Sequence, residues 1–279
     1  MMPTQAEKCS TFRALHVPGK PLVMPNPWDA GTARILAALD FKALATTSAG
    51  LAFALGVADQ AGRLTREQAL ANARAIAAAT PLPVSADLEN LYGHAPADAA
   101  ATIPLAAANG LAGCSIEDCS GDANNPIYEF DHAVARVAAA AAAVRALPFP
   151  FTLTARTENF LHGRKDLADT IRRLQAFEAA GADVLYAPGL PDIAAVSAVT
   201  AALSKPVNVL VSSSNAHWTV AELAAAGAAR ISVGGALARA ALGAFVAGAR
   251  EIAAHGTFHY GADAATEDEI VRLLEQRTT

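Results

Sequence analysis

Short apolar runs alternate with longer amphipathic stretches along almost the whole chain. The apolar runs are nearly continuous, which is typical of parallel strands that are buried on both faces. The stretches between them have the 3.6-residue periodicity of helices. The predicted strands are Leu22–Asn26, Ala43–Ser48, Val84–Glu89, Gly113–Asp118, Phe151–Thr157, Val184–Pro188, Val207–Val211 and Arg230–Gly234. The predicted helices are Asp29–Leu39, Thr65–Ala79, Pro96–Asn109, Asp131–Leu147, Asp166–Ala180, Pro191–Leu203, Thr219–Ala226 and Leu237–His255.

Eight strand–helix units in succession predict an α/β fold of the (β/α)8 TIM-barrel type, with a doubly wound open sheet as the alternative. No linker or change of composition divides the chain, so we expect a single barrel domain over residues 1–279, with 256–279 as a C-terminal helical extension. Gly110, Gly181 and Gly227 each follow a predicted helix, where a left-handed C-cap favours glycine.

Composition narrows the class of protein. Of the 279 residues, 53% are hydrophobic and 17% are charged, against soluble averages of about 45–50% and about 25%. This excludes disorder, collagen and a disulfide scaffold, and only three cysteines are present. The net charge of −5 leaves no basic surface for nucleic acid. No apolar run is long enough to span a membrane, and no signal peptide is recognisable, so we expect a cytoplasmic protein.

Carboxylates follow two neighbouring predicted strands. Asp87 and Glu89 are two positions apart in one strand, so they are expected on the same face, and Glu117 ends the next strand. Active sites of barrels form at the carboxyl ends of the strands. Three converging carboxylates without a nearby lysine predict a site for Mg²⁺, with Mn²⁺ also possible. The alternative is that these acids stabilise the beginnings of helices.

One arginine also ends an apolar strand. Arg156 is placed to bind a substrate carboxylate through two parallel hydrogen bonds, unless it serves only as an ion-pair partner of Glu158. None of the five lysines follows a strand directly, which argues against a Schiff-base aldolase. The glycines of residues 232–236 serve either phosphate binding or tight packing.

Five segments follow one another on consecutive strands of the predicted barrel. They are Asn26–Ile35, Leu55–Asp59, Asp87–Gly93, Ser115–Asp118 and Thr154–Glu158. With these segments in this order, the chain resembles the isocitrate lyase/phosphoenolpyruvate mutase superfamily, in its phosphoenolpyruvate phosphonomutase-like branch, from Leu22 to about Ile252. The resemblance implies a (β/α)8 barrel that binds Mg²⁺ and a small 2-oxo or 2-hydroxy carboxylate.

The resemblance also assigns residues. Asp87 matches the family aspartate that approaches Mg²⁺, and Glu89 and Glu117 match acids that act mostly through metal-bound water. Asp59 matches an aspartate near the reacting carbon, and Arg156 the arginine that clamps the carboxylate and oxo group. The other implied substrate contacts are Ser48, Ala49, Gly50 and, at the rim, Asn208.

One loop departs from the family. Lyases of this superfamily carry Lys-Arg-Cys-Gly-His after the fourth strand, whereas residues 119–126 are Cys-Ser-Gly-Asp-Ala-Asn-Asn-Pro. The lysine of the phosphonate-processing branch is absent too. Three functions therefore stay open: a Mg²⁺-dependent lyase or decarboxylase that cleaves a C–C bond through a metal-stabilised enolate, a phosphonopyruvate-type C–P hydrolase or mutase, and a non-catalytic barrel that binds a 2-oxoacid. Relatives imply a homo-oligomer, either a tetramer or a dimer.

Overall fold

Eight parallel strands form one sheet in a computed structural model, which describes residues 2–59 and 62–276. The strands are β1 (Leu22–Met24), β2 (Leu44–Ala45), β3 (Val84–Ala86), β4 (Gly113–Glu117), β5 (Thr152–Arg156), β6 (Val184–Tyr186), β7 (Val207–Leu210) and β8 (Arg230–Ser232). Their order in the sheet is β1, β8, β7, β6, β5, β4, β3, β2, and all neighbours are parallel.

Hydrogen bonds join the two ends of this sheet. The Ala45 N–H donates to the Pro25 carbonyl at 3.1 Å, and the Asn26 amide donates to the Thr46 carbonyl at 2.8 Å. The sheet is thereby nearly closed, which confirms the predicted (β/α)8 TIM barrel.

Helices surround the barrel, and all eight predicted helices are present. Gly110, Gly181 and Gly227 have φ of 79°, 107° and 87°, so the predicted left-handed positions are confirmed. The helices are α1 (Gln5–Ala14), α2 (Ala30–Ala38), α3 (Ser48–Ala54), α4 (Arg66–Ala78), α5 (Pro96–Ala108), α6 (Phe130–Arg145), α7 (Leu167–Ala180), α8 (Ile193–Ala201), α9 (Val220–Ala225), α10 (Ala236–His255) and α11 (Glu267–Glu275).

Two helices were not predicted from the sequence. The predicted second strand extends too far, to Ser48, because the Thr47 side chain accepts a hydrogen bond from the Gly50 N–H and begins α3. Helix α1 begins at a capping box formed by Thr4 and Glu7. It closes the amino end of the barrel, where the fully buried Phe12 packs in a cluster with Leu22 and Ala43.

Helix α10 lies largely away from the barrel. Residues 239–247 are all exposed, including Leu242, Phe245 and Val246. The chain then turns at Gly256 (φ 62°), and α11 packs against α2. No helix within the described residues is both long and apolar enough to cross a membrane.

Candidate active site

A row of polar residues crosses five strands of the barrel. The parallel register pairs Glu117 with Arg156, Arg156 with Tyr186, Tyr186 with Asn208, and Asn208 with Arg230. Glu117, Arg156 and Tyr186 end their strands, whereas Arg230 begins β8. Because barrel strands are tilted, one row runs from the rim at β4 into the interior at β8.

A small cavity of about 60 Å³ lies beside this row. Asp87, Ser115 and Arg156 line one side, and Tyr186 and Asn208 line the other. A wider cleft of about 650 Å³ opens next to it, lined in part by Glu89. The smaller cavity is lined by Asp87 and Arg156 at the carboxyl ends of β3 and β5, where barrels carry their active sites, and it is therefore the candidate active site.

Asp87 is held on both of its carboxylate oxygens. Its Oδ2 accepts hydrogen bonds from the Ser48 N–H at 3.2 Å and the Ser48 hydroxyl at 3.0 Å. Its Oδ1 accepts from the Ser115 hydroxyl at 3.3 Å and lies 3.5 Å from Arg156 Nη1. The Thr46 hydroxyl accepts from the Asp87 N–H at 2.9 Å and fixes the backbone. The carboxylate is therefore rigidly oriented at the rim.

The argument from strand periodicity for Asp87 and Glu89 is wrong, although both residues lie at the carboxyl end of β3. The strand ends at Ala86, and Glu89 has φ +47° in the left-handed region. What brings Glu89 towards β4 is its carbonyl, which accepts from the Glu117 N–H at 3.0 Å. A strained backbone at a non-glycine residue, rather than an alternating strand, thus sets this acid in place.

The pKa values of the acids show how the carboxylates affect one another. Burial, followed by repulsion from Asp87 and Asp59, raises the pKa of Glu89 to about 7. Burial also raises the pKa of Glu117 well above its usual value, and Arg156 opposes this. Asp59 is exposed as a whole residue, yet partial burial of its carboxyl and the charge of Asp87 raise its pKa. The charge of Asp87 therefore acts on both Glu89 and Asp59.

Arg156 forms the predicted ion pair with Glu158, and its binding of a substrate carboxylate stays a prediction. Its Nε binds Glu158 Oε1 at 2.7 Å, while its Nη1 lies 3.4 Å from Glu117 Oε2. Its guanidinium carbon lies 4.9 Å from the centre of the Tyr186 ring. Glu158 is itself held by its N–H, which donates to the buried Asp118 at 2.8 Å. The pair with Glu158 therefore anchors the guanidinium and leaves Nη1 directed at the carboxylates.

The segment Ser48–Gly50 forms the first turn of α3. A Cβ on Gly50 would lie 2.7 Å from Thr47 Cγ2 and 2.8 Å from Trp28 Cβ, so only glycine fits. In this structure Ser48 binds Asp87, and its role as a substrate contact stays a prediction, as do those of Ala49 and Gly50.

Asn208 is buried and fully engaged within the barrel. Its Oδ1 accepts from Arg230 Nε at 2.8 Å, and its Nδ2 donates to the Ser232 hydroxyl at 3.0 Å. The predicted rim contact is therefore a deeper residue that lines the cavity. Sequence reasoning missed Tyr186 as well as Arg230, because the strand register that aligns them with Asn208 is not visible in the sequence.

The loop after β8 is held by Asn26. Its Oδ1 accepts from the backbone N–H groups of both Val233 and Gly234 at 2.9 Å. These amides would be the donors of a phosphate site there, so their use within the barrel favours the packing interpretation of the glycines.

The loop after β4 supplies no reactive thiol. Cys119 is buried and forms an isolated bridge with Ile127. Burial, followed by the charge of Glu117, raises the pKa of Cys119 to about 11. A thiol with a raised pKa and little exposure is a poor nucleophile.

The donor set fits a hard divalent cation bound largely through water. Asp87, Glu89 and Glu117 provide only oxygen donors. Burial first, and then the neighbouring carboxylates, raise the pKa values of Glu89 and Glu117, and Arg156 opposes the shift of Glu117. In the part of the chain that the structure describes, no three His, Cys, Asp or Glu side chains converge closely enough to hold one ion directly. Oxygen donors that are not closely clustered suit Mg²⁺, which keeps several waters.

Comparisons with known proteins identify the family of the chain. A protein-family model for phosphoenolpyruvate phosphomutase matches residues 12–253. A putative lyase/mutase from Burkholderia cenocepacia J2315 has a TM-score of 0.93 and 54% identity, covering 98% of this chain and 97% of that one.

Two further relatives have named activities. The oxaloacetate decarboxylase of Ectopseudomonas mendocina (strain ymp) is 32% identical over 205 residues, which are 71% of this chain and 68% of that protein. An oxaloacetate acetylhydrolase in complex with its product oxalate has a TM-score of 0.84 at 28% identity, covering 98% and 94% of the two chains. The chain belongs to the phosphoenolpyruvate phosphomutase family, within the isocitrate lyase/phosphoenolpyruvate mutase superfamily of lyases and mutases.

Proposed function

We propose that the protein is a Mg²⁺-dependent lyase or decarboxylase that cleaves a C–C bond of a small 2-oxo or 2-hydroxy dicarboxylate. The observation that carries this proposal is the placement of Arg156 Nη1 between Asp87 and Glu117, at 3.5 Å and 3.4 Å, beside a cavity of about 60 Å³. A cation and a group of carboxylates at one small cavity suit a substrate that carries both an anionic group and metal-binding oxygens.

Each residue has a proposed role. Asp87, Glu89 and Glu117 would hold the metal, which supplies a Lewis acid for the substrate oxo or hydroxyl oxygen when bound. Arg156 binds the adjacent carboxylate and stabilises negative charge as the bond breaks. Ser48 and the first turn of α3, with Ala49 and Gly50, hold the distal carboxylate, and Asp59 faces the reacting carbon. Asn208 lines the cavity from within the barrel.

Decarboxylation suits this chain better than an aldol-type cleavage. An aldol-type lyase needs a base that removes the proton of the substrate hydroxyl as well as an acid that protonates the enolate carbon, and the buried Cys119 with its raised pKa does not supply that acid. In decarboxylation CO₂ leaves without a proton, and the remaining carbon takes its proton from water. The similarity to an oxaloacetate decarboxylase supports oxaloacetate as the first substrate to test.

A panel of 2-oxo and 2-hydroxy acids, followed by NMR of the products with Mg²⁺ or with EDTA, tests the proposal. We expect pyruvate from oxaloacetate only when the metal is present. Phosphate release from phosphonopyruvate would instead support the C–P hydrolase or mutase. Metal-dependent binding of a 2-oxoacid with no product from any member would support a non-catalytic binding barrel.

We also propose that the protein is a homo-oligomer, a tetramer or a dimer. The support is α10, whose Leu242, Phe245 and Val246 are exposed, with Phe245 exposed at 72%. Large apolar side chains on one solvent-facing helix indicate a protein contact. Light scattering after gel filtration measures the mass. Phe245→Arg is expected to shift it towards the monomer, and a wild-type monomer at micromolar concentration would contradict the proposal.

A further inference from the structure

A buried aspartate that has no role in the proposed chemistry follows Glu117 at the end of β4. Asp118 is 3% exposed, and it lines neither the small cavity nor the wider cleft. Its carboxylate therefore does not contact the ligand. A buried carboxylate is costly unless its charge is paired and its oxygens accept hydrogen bonds, so its partners indicate what it does.

Asp118 holds three successive residues at the end of β5. Its N–H donates to the Arg156 carbonyl at 3.2 Å, its Oδ2 accepts from the Thr157 hydroxyl at 3.0 Å, and its Oδ1 accepts from the Glu158 N–H at 2.8 Å. Thr157 and Glu158 are buried as well. A bond lost here is not replaced by one to water, so these contacts strongly fix the backbone of the segment.

Arg173 of α7 supplies the counter-charge. Its Nη1 lies 3.2 Å from Asp118 Oδ2 and donates to the Tyr128 carbonyl at 3.0 Å, while its Nε lies 3.1 Å from Asp169 Oδ2. The Arg173 side chain is 4% exposed, so this ion pair is little screened by solvent. Asp118 thus accepts from donors on both sides, from a cation at Oδ2 and from a backbone N–H at Oδ1.

Only a carboxylate can accept on both sides. In Asp118→Asn one oxygen is replaced by an amide nitrogen, which can only donate. Arg173 also can only donate, and hydrogen bonds of charged groups are the stronger ones, so the amide oxygen is expected to turn towards Arg173. The amide nitrogen then faces the Glu158 N–H, donor against donor, and residue 158 moves away.

Glu158 connects this segment to the cavity. Its Oε1 accepts from Arg156 Nε at 2.7 Å. Nη1 of the same guanidinium lies 3.5 Å from Asp87 and 3.4 Å from Glu117, and Arg156 lines the small cavity. Because a guanidinium is planar and rigid, holding Nε also sets the direction of Nη1. Hydrogen bonds therefore connect Asp118 to the cavity without a gap.

We propose that Asp118 is a positioning residue for ligand binding: paired with Arg173, it fixes Glu158 and so orients the Arg156 guanidinium towards a carboxylate of the bound acid. The inference rests on the proposed function, because it assumes that Arg156 binds a carboxylate of a 2-oxo or 2-hydroxy acid. It follows that a change at Asp118 weakens ligand binding although Asp118 does not touch the ligand.

A double-mutant cycle tests the coupling. The variants are Asp118→Asn, Arg156→Met and the pair together. The measurement is the affinity for oxalate, an unreactive dicarboxylate, with saturating Mg²⁺, by calorimetry or, for millimolar affinities, by NMR titration.

Each single change is expected to weaken oxalate binding. Arg156→Met is expected to bind about 10- to 100-fold more weakly, as for the loss of hydrogen bonds to a charged group. Asp118→Asn is expected to bind about 10-fold more weakly, because the guanidinium is misaligned rather than removed. In the Arg156→Met background, Asp118→Asn is expected to change the affinity by less than about 2-fold, because it acts on the ligand only through Arg156.

Asp183 is the matched control. Its Oδ2 accepts from the Leu153 N–H at 2.9 Å, so it holds the backbone of β5 as Asp118 does, but near the amino end of the strand. Asp183→Asn is expected to lower the free energy of unfolding and to leave the oxalate affinity unchanged. This control separates positioning of Arg156 from a general loss of stability.

Thermal unfolding establishes that each variant is folded. If Asp118→Asn does not fold, Thr157→Val takes its place in the cycle, because it removes one hydrogen bond to Asp118 and keeps the ion pair with Arg173. A smaller loss of oxalate affinity is expected, again with no further effect in the Arg156→Met background.

The outcomes distinguish this inference from the proposed function. Three results would overturn the role of Asp118 while leaving the proposed function standing: unchanged oxalate affinity in the folded variant, an equal loss in both backgrounds, or a loss of the same size in Asp183→Asn. Wild-type protein that neither binds oxalate nor cleaves any acid of the panel would overturn the proposed function itself, and the inference with it.

Discussion

Two buried arginines on the same row of the barrel have opposite surroundings. Arg156 lies among Glu158, Glu117 and Asp87, and these charges raise its pKa well above the usual value although burial lowers it. Arg230 has only neutral acceptors, and burial lowers its pKa to about 10. The carboxylate side therefore balances its cation with negative charge, whereas the β7–β8 side holds its cation through neutral hydrogen-bond acceptors.

Of the changes that test this difference between the two arginines, replacement of Arg156 is expected to have the largest effect. Arg156→Met is expected to lower kcat/KM for oxaloacetate by about 10²- to 10³-fold, because it removes the donor that faces developing negative charge. The matched control is Arg74→Met, an exposed arginine of α4. If Arg156→Met kept activity within a few-fold of the control, Arg156 and the carboxylates around it would not form the active site.

Burial, followed by repulsion from Asp87 and Asp59, predicts a pH effect at Glu89 in the metal-free protein. The folded pKa is about 7 against an ordinary 4.5, so the protonated acid is favoured by folding. This contribution is full below pH 4.5 and is lost as the pH rises through 7. Glu89→Gln is therefore expected to gain about 3 kcal/mol in free energy of unfolding relative to wild type by pH 8.

Denaturant unfolding in EDTA at pH 5 and pH 8 measures this difference. Glu267→Gln, an exposed acid on α11, is the control and should not change with pH relative to wild type. Parallel pH dependences for wild type and Glu89→Gln would show that neither burial nor the charges of Asp87 and Asp59 raise the pKa of Glu89.

His16, which faces Arg230, predicts a smaller effect of pH on the free energy of unfolding, with the opposite sign. His16 has a folded pKa of about 3 against 6.5, so the unfolded chain binds a proton that the folded protein does not. Stability is therefore full above pH 6.5 and falls as the pH drops towards 3. Wild type is expected to lose about 2 kcal/mol in free energy of unfolding between pH 7.5 and pH 5, and His16→Gln is expected to abolish this loss. Denaturant unfolding at the two pH values measures it. An unchanged acid sensitivity would mean that Arg230 does not face a neutral imidazole.

Most strands and helices of the barrel could be predicted from the sequence, because buried parallel strands and glycine C-caps leave local patterns in it. Helix α1 could not be predicted, because its apolar contacts are few. The turn at Glu89 could not be predicted either, because its φ of +47° breaks the alternation expected of a strand. The polar residues at strand ends located Asp87 and Arg156, and the resemblance assigned their roles. Neither signal located Arg230, whose partners come from β5, β7 and the segment after α1, so no local spacing announces them.

The central claim is that the carboxylates around Asp87 hold the metal used in cleaving a 2-oxo dicarboxylate. The most direct measurement is the initial rate of oxaloacetate cleavage against Mg²⁺ concentration for wild type and Asp87→Ala, with the exposed Asp131→Ala as control. We predict that wild type and Asp131→Ala respond alike to Mg²⁺ and that Asp87→Ala loses the response. An Asp87→Ala variant with unchanged rate and unchanged half-saturation by Mg²⁺ would contradict the account.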